Sequence, residues 1–402
     1  VMRASANLNV ASGSITAADG GSGGKLTLEG DQSRIGGRVS ARGAEGKGGQ
    51  IKLLGREVGL MDAARVDASG HSGGGEVLVG GGLQGKDPSV PNAQAVYFGP
   101  NASISADAVE SGDGGRVILW SDKATRAFGS LSARGGATGG DGGFIETSGG
   151  WLDARPMKVD TAAPHGRPGT WLLDPYNITI SDSGTEGGFD SNFTANADDA
   201  VILTGTIESA LAIGTQVVVS TGDAAGTQAG NITMNAASIV GPAGNGASLT
   251  LIADGDIAMT NGSSISLSGS PTPITLLAGR SGVGSINIDS SSIQSNGGDI
   301  TLGGFASAPG PVGSLIANAA LSTATLGVGV RVNNSLLNAN GGAISVRGVS
   351  QSNGGYGVSI LRSDLLGVDL LIEGSATADF ASGVDIFNSY VLADRSLFVN
   401  GL

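Results

Sequence analysis

Hydrophobic and polar positions alternate along this chain in runs of only three to five residues, with glycines punctuating the runs. In the first part each run follows a Gly-Gly pair. The runs are Gly23-Gly24-Lys25-Leu26-Thr27-Leu28, Gly48-Gly49-Gln50-Ile51-Lys52-Leu53, Gly74-Gly75-Glu76-Val77-Leu78-Val79, Gly114-Gly115-Arg116-Val117-Ile118-Leu119 and Gly142-Gly143-Phe144-Ile145. The intervals between successive pairs are 25, 26, 40 and 28 residues. A second motif, an apolar residue followed by Ser, Asp or Thr and then Ala, precedes each pair. It occurs at Ile15-Thr16-Ala17, Val39-Ser40-Ala41, Val66-Asp67-Ala68, Ile104-Ser105-Ala106 and Leu131-Ser132-Ala133. The one long interval holds Gly85-Lys86-Asp87-Pro88-Ser89-Val90-Pro91-Asn92, which predicts a loop inserted into a single repeat.

The last part carries its own repeat. Gly-Val-x-Ile/Val-x-x-Ser recurs at Gly329 to Ser335, Gly357 to Ser363 and Gly383 to Ser389, with intervals of 28 and 26 residues. A companion run ending in Gly recurs at Ile344-Ser345-Val346-Arg347-Gly348, Leu370-Leu371-Ile372-Glu373-Gly374 and Leu397-Phe398-Val399-Asn400-Gly401. Between the two parts, Asn231 to Met234, Leu249 to Leu251, Ile274 to Leu276, Ile286 to Ile288 and Ile300 to Leu302 continue the short alternation. Such runs predict strands with side chains pointing alternately in and out. One repeat of this length cannot bury its apolar face alone, whereas stacked repeats share a continuous core. The expected fold is therefore all-β, a parallel β-solenoid of roughly 14–17 rungs spaced about 4.8 Å apart. A β-propeller or β-sandwich is the alternative, but propeller blades repeat at about 40–50 residues with aromatic signatures.

Composition narrows the classes further. Glycine is 72 of 402 residues, yet 40% of residues are apolar, which argues against disorder. The glycines do not fall at every third position, which excludes collagen. So much glycine disfavours a helical or conventional α/β enzyme, since each interior glycine costs about 0.5–1 kcal/mol. Charge divides the chain: residues 1–169 carry 17 basic and 17 acidic side chains, whereas residues 170–402 carry 5 and 18, with no Lys after Lys158. An acidic half without lysine is a poor partner for nucleic acid or anionic lipid. There is no Cys, hence no disulfide framework and no thiolate chemistry. No apolar run of about 18 residues predicts a membrane span. The opening Val1-Met2-Arg3 does not read as a signal peptide, and the chain is expected to be a piece of a longer protein.

The repeat breaks between about residues 150 and 215. There the sequence reads Gly142-Gly143-Phe144-Ile145-Glu146-Thr147-Ser148-Gly149-Gly150-Trp151-Leu152-Asp153, then Gly169-Thr170-Trp171-Leu172-Leu173-Asp174-Pro175-Tyr176-Asn177-Ile178-Thr179-Ile180. Further on stands Ile207-Glu208-Ser209-Ala210-Leu211, followed by Gly214-Thr215-Gln216-Val217-Val218-Val219. This block resembles the signature of the filamentous haemagglutinin and high-molecular-weight adhesin exoproteins of the two-partner secretion route. The resemblance implies a right-handed parallel β-helix, export through an outer-membrane transporter partner, and a secreted or cell-surface location. It further implies a mostly adhesive role toward a host-cell or matrix receptor or glycan. The family's N-terminal secretion domain, with its Asn-Pro motifs, is not visible, so the piece reads as shaft. Three regions are expected: Gly-Gly-repeat rungs over 1–155, a junction with a lateral extension over 156–215, and acidic rungs over 216–402. In the junction, Gly184 to Asp199 is polar, and a short helix is predicted near Thr206–Ala212, stopped by Gly214. Trp171, Leu172 and Leu173 are expected to plug this extension against the shaft.

Candidate chemistry is sparse. Gly70-His71-Ser72-Gly73-Gly74 matches a nucleophile elbow, but a strand and a helix must flank a true elbow, and here another Gly-rich turn and strand follow. Gly20-Gly21-Ser22-Gly23-Gly24 repeats the pattern in another rung, so the bland reading as a turn is favoured. His71 and His165 are the only histidines, both in Gly/Pro-rich turns. Asp254-Gly255-Asp256 and Asp198-Asp199 are the closest carboxylate pairs. Oxygen ligands suit Ca²⁺, but the Gly-Gly-x-Gly-x-Asp repeat of Ca²⁺-binding β-rolls does not recur. Sequons stand at Asn101, Asn177, Asn192, Asn231, Asn261 and Asn333, most of them expected by chance in so Asn-, Ser- and Thr-rich a chain. No catalytic residue, cofactor or metal site is therefore expected. The functional expectation is a non-catalytic shaft or adhesive segment. A polysaccharide-binding or -cleaving β-helix and a self-associating extracellular fibre are the alternatives, the latter because solenoid ends expose strand edges.

Overall fold

The computed structural model describes residues 1–61, 63–184, 199–222, 228–305, 317–318, 320–322 and 327–402. They form a nearly all-β parallel solenoid of about 13 turns with one short helix. The turn count falls below the expected 14–17, and the inserted stretch Gly80–Asn92 uses chain without adding a rung. Two compact units divide the chain. One comprises residues 1–175, 184–218 and 245–247; the other comprises 176–183, 219–244 and 248–402. No helix of the described residues is long and apolar enough to cross a membrane.

In the first unit each turn visits three faces. The first face stacks Lys25–Glu29, Gln50–Leu54, Glu76–Val79, the start of Arg116–Ala127, the start of Phe144–Asp153, and Thr170–Asp174. The second stacks Asn7–Val10, Gln32–Ile35, Glu57–Leu60, Ala93–Phe98 and the later halves of the two long strands. The third stacks Arg38–Ser40, Arg65–Asp67, Ser103–Ser105, Ser130–Ser132 and Lys158–Asp160. Every one of these pairings is parallel, and apart from an irregularity at Ser121–Ala124 of the long strand the register is regular, so like residues stack. Leu26, Ile51, Val77, Val117, Ile145 and Trp171 form one interior column, and Val39, Val66, Ile104, Leu131 and Val159 form another.

The two sequence motifs of this unit are parts of one device. The second glycine of each pair donates its N–H across the interior of its own rung to the motif alanine: Gly49 to Ala41 at 2.7 Å, Gly75 to Ala68 at 2.8 Å, Gly115 to Ala106 at 2.7 Å and Gly143 to Ala133 at 2.7 Å. This cross-bond brings two backbones together where no side chain fits. A Cβ added at Gly48 would lie 1.7 Å from the Ala68 carbonyl oxygen, and one at Gly49 would lie 2.0 Å from that of Gly24. The first rung slips by one residue. Thr16, not Ile15, pairs with Val39, Ala18 accepts the Gly24 N–H, and Ile15 is 72% exposed. The corner after Val10 takes the same six-residue path as Leu60 to Val66 and Phe98 to Ile104, which delivers Thr16 to the column.

The second unit repeats the three-face plan with different corners. Ile178, Ile232, Ile257, Ile286, Val330, Val358 and Val384 stack in one column, and Ile239, Ile265, Ile293, Leu337, Leu365 and Val391 in another. The repeated Ser closes a corner ladder. Ser291 N–H donates to Ser335 Oγ, Ser335 N–H to Ser363 Oγ and Ser363 N–H to Ser389 Oγ, each at 3.1 Å. Each hydroxyl donates in turn to a carbonyl two residues back, as Ser363 does to Leu361 at 2.7 Å. The residue before each serine has positive φ: Ser290 at 51°, Asn334 at 48°, Arg362 at 48° and Asn388 at 48°. Asn tolerates that conformation better than most side chains, which explains its use at two of these corners.

Helix α1 spans Thr204–Ala212 and ends before Gly214, whose φ is +95°. It therefore begins two residues ahead of the predicted start and stops where expected. Of the three residues expected to plug the lateral extension against the shaft, Trp171 and Leu173 point into the rung instead, while Leu172 points outward and is buried. Trp171 stands inside the rung, aligned with Ile145, while α1 packs on Lys158–Asp160 and Asp199–Leu203. Alternation along Thr170–Asp174 drives this, since Trp171 and Leu173 point inward and Leu172 outward. Most of the polar stretch 184–199 lies outside the described residues.

Candidate functional site

Two features of the first unit carry chemistry on its outer surface. The first lies beneath the inserted loop. Outward residues Leu54, Leu78, Ile118 and Trp120 form an apolar patch, and the loop covers it with Val90, leaving all five buried with Phe144 packed against them. The loop backbone must pass directly over the indole: a Cβ at Gly85, whose φ is +62°, would meet the Trp120 ring at 2.4 Å. Asn92 Nδ2 ties the loop shut with bonds to the Gly85 carbonyl and Asp122 Oδ1, both 2.9 Å, and Trp120 Nε1 donates to the same Asp122 oxygen at 3.0 Å.

The same loop seals two carboxyls that belong to the junction motif. Glu146 and Asp174 sit on adjacent rungs of the first face, pointing outward under the short 3₁₀ turn Leu83–Gly85. Gln84, held at φ 51° and ψ 27°, points its N–H at both Glu146 oxygens, at 3.2 and 3.1 Å. Its Nε2 donates to Asp174 Oδ2 at 3.0 Å. Glu146 is fully buried. Burial pushes its pKa up to about 8 and the Asp174 charge adds to the rise, while the Gln84 N–H and Lys86 oppose it. A protonated, enclosed Glu146 is a fastener for the loop, with no face open to a ligand. The inward residues of the same motif are joined as well: Trp171 Nε1 donates to Thr147 Oγ1 at 2.9 Å. Asp153 and Arg155 close the rung corner with a buried two-point ion pair at 2.8 and 3.1 Å.

The second feature is a groove of about 380 Å³ on the second face. Its column of outward positions reads Arg34, Gly59, Tyr97 and Arg126 on four successive rungs. The adjacent column reads Gln32, Glu57, Ala95 and Ala124. Gly59 and Ala95 thus leave a notch between larger side chains. The flexible tip of Met61 folds over it, with its Cε 2.5 Å from where a Gly59 Cβ would stand. Arg126 lies 5.2 Å from the Phe128 ring centroid, and Phe128 meets Tyr97 edge to face at 6.1 Å. Glu57 is already engaged, by Arg56 at 2.6 Å and by the Gln32 amide at 2.9 Å.

The residues singled out in the sequence fall elsewhere. His71 is an exposed corner residue whose N–H donates to Gly43 O at 3.0 Å, and the Gly70–Gly74 turn joins two strands rather than a strand and a helix. His165 is exposed in a corner three turns away, so the two histidines do not meet. Asp254 is held by Arg280 at 2.6 Å, and Asp256 accepts from Ser285 N–H and Oγ at 2.7 and 2.8 Å. Arg280 also donates to Ser220 Oγ at 2.9 Å and to the carbonyls of Thr221 and Gly222, which makes it a corner clamp of the second unit. Asp198 lies outside the described residues, as does Asn192. Asn177 and Asn231 use their Oδ1 atoms to accept rung N–H groups, of Asn231 and Asp256, each at 2.8 Å. Asn261 Nδ2 donates to Asn235 Oδ1 at 2.7 Å and Asn333 Nδ2 to Asp289 Oδ1 at 2.9 Å, so both join rung ladders, while Asn101 is an exposed turn residue. Among the described residues no group of three or more His, Asp or Glu side chains is placed to hold a metal ion. The groove escaped sequence reasoning because its members are 92 residues apart; its one local signal is glycine at a strand position, Gly59, where neighbours carry side chains. No protein-family model matches the chain, and no curated protein matches it in sequence.

Proposed function

We propose that this chain is a non-catalytic shaft and adhesive segment of a large bacterial exoprotein of the filamentous haemagglutinin type. In this reading it is exported through an outer-membrane two-partner transporter and displayed at the cell surface or released. The observation that carries the reading is the in-register stacking within each unit. Each interior column runs through successive turns mainly on backbone bonds and apolar contacts, so the interior is given over to rigidity and the outer faces are left for display. The junction motif supports the same reading. Glu146, Thr147, Trp171 and Asp174 interlock two adjacent rungs and pin the inserted loop, a structural use that accounts for four of its characteristic side chains. The absence of Cys in the sequence suits a chain that crosses an oxidising compartment unfolded.

The test places the chain behind a two-partner secretion domain and co-expresses the matching transporter. A folded, protease-resistant product on the cell surface or in the medium, retained on host cells or matrix-coated beads, is the expected result. Retention inside the periplasm overturns the export reading. Export without retention on any surface overturns the adhesive one and leaves the shaft.

A further inference from the structure

We infer that Asn340 is a site of spontaneous covalent modification, where the side-chain amide is lost to backbone attack and the residue becomes aspartate or isoaspartate. The inference concerns the second unit and does not draw on the adhesive reading above. Asn-Gly occurs six times in the chain, at Asn245, Asn261, Asn296, Asn340, Asn353 and Asn400. A glycine after asparagine leaves the attacking backbone nitrogen unshielded by a side chain. All six pairs are alike in that respect, and the structure separates them.

Three of the pairs occupy tight corners in which asparagine and glycine both have positive φ. The values are 56° and 82° at Asn261-Gly262, 52° and 96° at Asn296-Gly297, and 45° and 106° at Asn340-Gly341. At the first two corners the reacting groups are tied. Gly262 N–H donates to the Ser290 carbonyl at 2.8 Å and Gly297 N–H to that of Ala339 at 2.7 Å. The Asn261 amide donates to Asn235 Oδ1 at 2.7 Å and the Asn296 amide to the Gly269 carbonyl at 2.9 Å. At the third corner Gly341 N–H has no acceptor among the described residues, and the Asn340 amide makes one long contact, 3.4 Å to Asn296 Oδ1.

The next rung is the cause. Residues 295–299 and 339–343 join the same two faces in five residues each, so one corner covers the other. The following rung makes that passage in three residues, 367–369, between the partners of Asn338 and Ile344, and Gly341 is left uncovered. Asn340 and Gly341 are accordingly exposed to water. The remaining pairs are held in other ways. Gly354 N–H is tied to the Asp379 carbonyl at 3.1 Å, and Asn400 lies within the strand Tyr390–Gly401. Gly246 also lacks an acceptor among the described residues but stands against the Pro168 ring, whose Cδ would be 2.7 Å from a Cβ there.

The reaction needs only water. Gly341 N bonds to Asn340 Cγ, and the amide nitrogen leaves as ammonia with the proton that Gly341 gives up. Water then opens the five-membered imide. Breaking the new bond to Cγ leaves aspartate, and breaking the bond to the Asn340 backbone carbonyl carbon leaves isoaspartate. Either product sets a carboxylate where the amide donated to Asn296 Oδ1, so an attraction between neighbouring rungs becomes a repulsion.

The experiment keeps the folded chain in mildly alkaline buffer at body temperature and samples it over days. Trypsin cuts at Arg331 and Arg347 and releases Val332–Arg347 with Asn340 inside. Tandem mass spectrometry locates each amide-to-acid change, and chromatography separates aspartate from isoaspartate. A sample unfolded in guanidinium gives the rate of each site without structure. In the folded chain Asn340 is expected to convert about 10-fold faster than Asn261, Asn296 and Asn353, the factor for opening one backbone bond before reaction, and ahead of Asn245. In guanidinium the spread is expected to collapse. Asn340→Gln, which enlarges the ring that must close, is expected to abolish conversion in the 332–347 peptide. Equal folded-state rates at Asn340 and the tied sites overturn the inference, as does conversion of Asn245 ahead of Asn340. A spread that persists in guanidinium overturns the structural cause, and conversion of the 332–347 peptide that survives Asn340→Gln overturns the site.

Discussion

Replacing Gly48 by Ala tests the mechanism by which the Gly-Gly pairs build the first unit. A Cβ at that position would sit 1.7 Å from the Ala68 carbonyl oxygen and 2.7 Å from the Gly75 nitrogen. Both are backbone atoms held by the rung ladder, so neither can rotate away. Overpacking in a well-packed interior costs about 1–3 kcal/mol, and contact with fixed backbone on two sides places this substitution at the upper end. With an unfolding entropy of about 2.1 cal/mol/K per residue over the roughly 210 residues of the unit, ~3 kcal/mol lowers Tm by about 7 °C. The matched control is Gly21→Ala in the neighbouring Gly-rich corner. There a Cβ would find only a Glu45 carboxylate oxygen, at 3.9 Å, and lower unfolded-chain entropy predicts a change between zero and about 1 kcal/mol of stabilisation. Thermal unfolding followed at 218 nm, with urea titration as a second measure, separates the two variants. If Gly48→Ala proves as stable as Gly21→Ala, close backbone approach is not what the paired glycines serve, and the reasoning fails.

Three further outcomes are expected. The folded chain holds on Glu146 a proton that the unfolded chain releases, so stability is greatest below the ordinary glutamate pKa of about 4.5 and falls as pH rises toward about 8; Glu146→Gln flattens that slope, as Tm measured across this range will show. Ser363→Ala removes the acceptor for Ser335 N–H and the donor to the Leu361 carbonyl from a buried corner, at about 1–3 kcal/mol in urea unfolding, whereas Arg362→Gly, which relieves a positive φ, leaves stability equal or higher. Arg280→Ala strips the clamp from Asp254, Ser220, Thr221 and Gly222, at about 1.5–3 kcal/mol per charged bond lost before relaxation, and faster hydrogen exchange at the Thr221 amide is the readout; unchanged exchange would refute the clamp.

The solenoid was legible in the sequence because parallel in-register stacking makes each rung solve the same problem. Val39, Val66, Ile104, Leu131 and Val159 occupy one column, so four of these five positions were already marked by the apolar-x-Ala motif. Gly-Gly pairs were equally legible, and so was the end of α1 at Gly214. Where the motif falls one residue out of step with the corner, periodicity misleads. Ile15 matches the motif in sequence but stands outside the column, since the six-residue corner path brings Thr16 to it.

By itself, then, the chain's alternation determined which residues face inward, that the rungs stack in parallel, and where one rung carries an insertion. These are local properties, set by strand period and by glycine's lack of a side chain. Only the tertiary structure decided what the insertion covers and which distant residues share a stretch of outer surface. Gln84 reaches Glu146 and Asp174 across 62 and 90 residues, and Arg34, Gly59, Tyr97 and Arg126 share a column although 92 residues separate its ends. The physical reason is the rung spacing. Stacking brings residues one full turn apart in sequence to within about 5 Å, and the outward positions it aligns have no interior packing to impose a periodic signal on them.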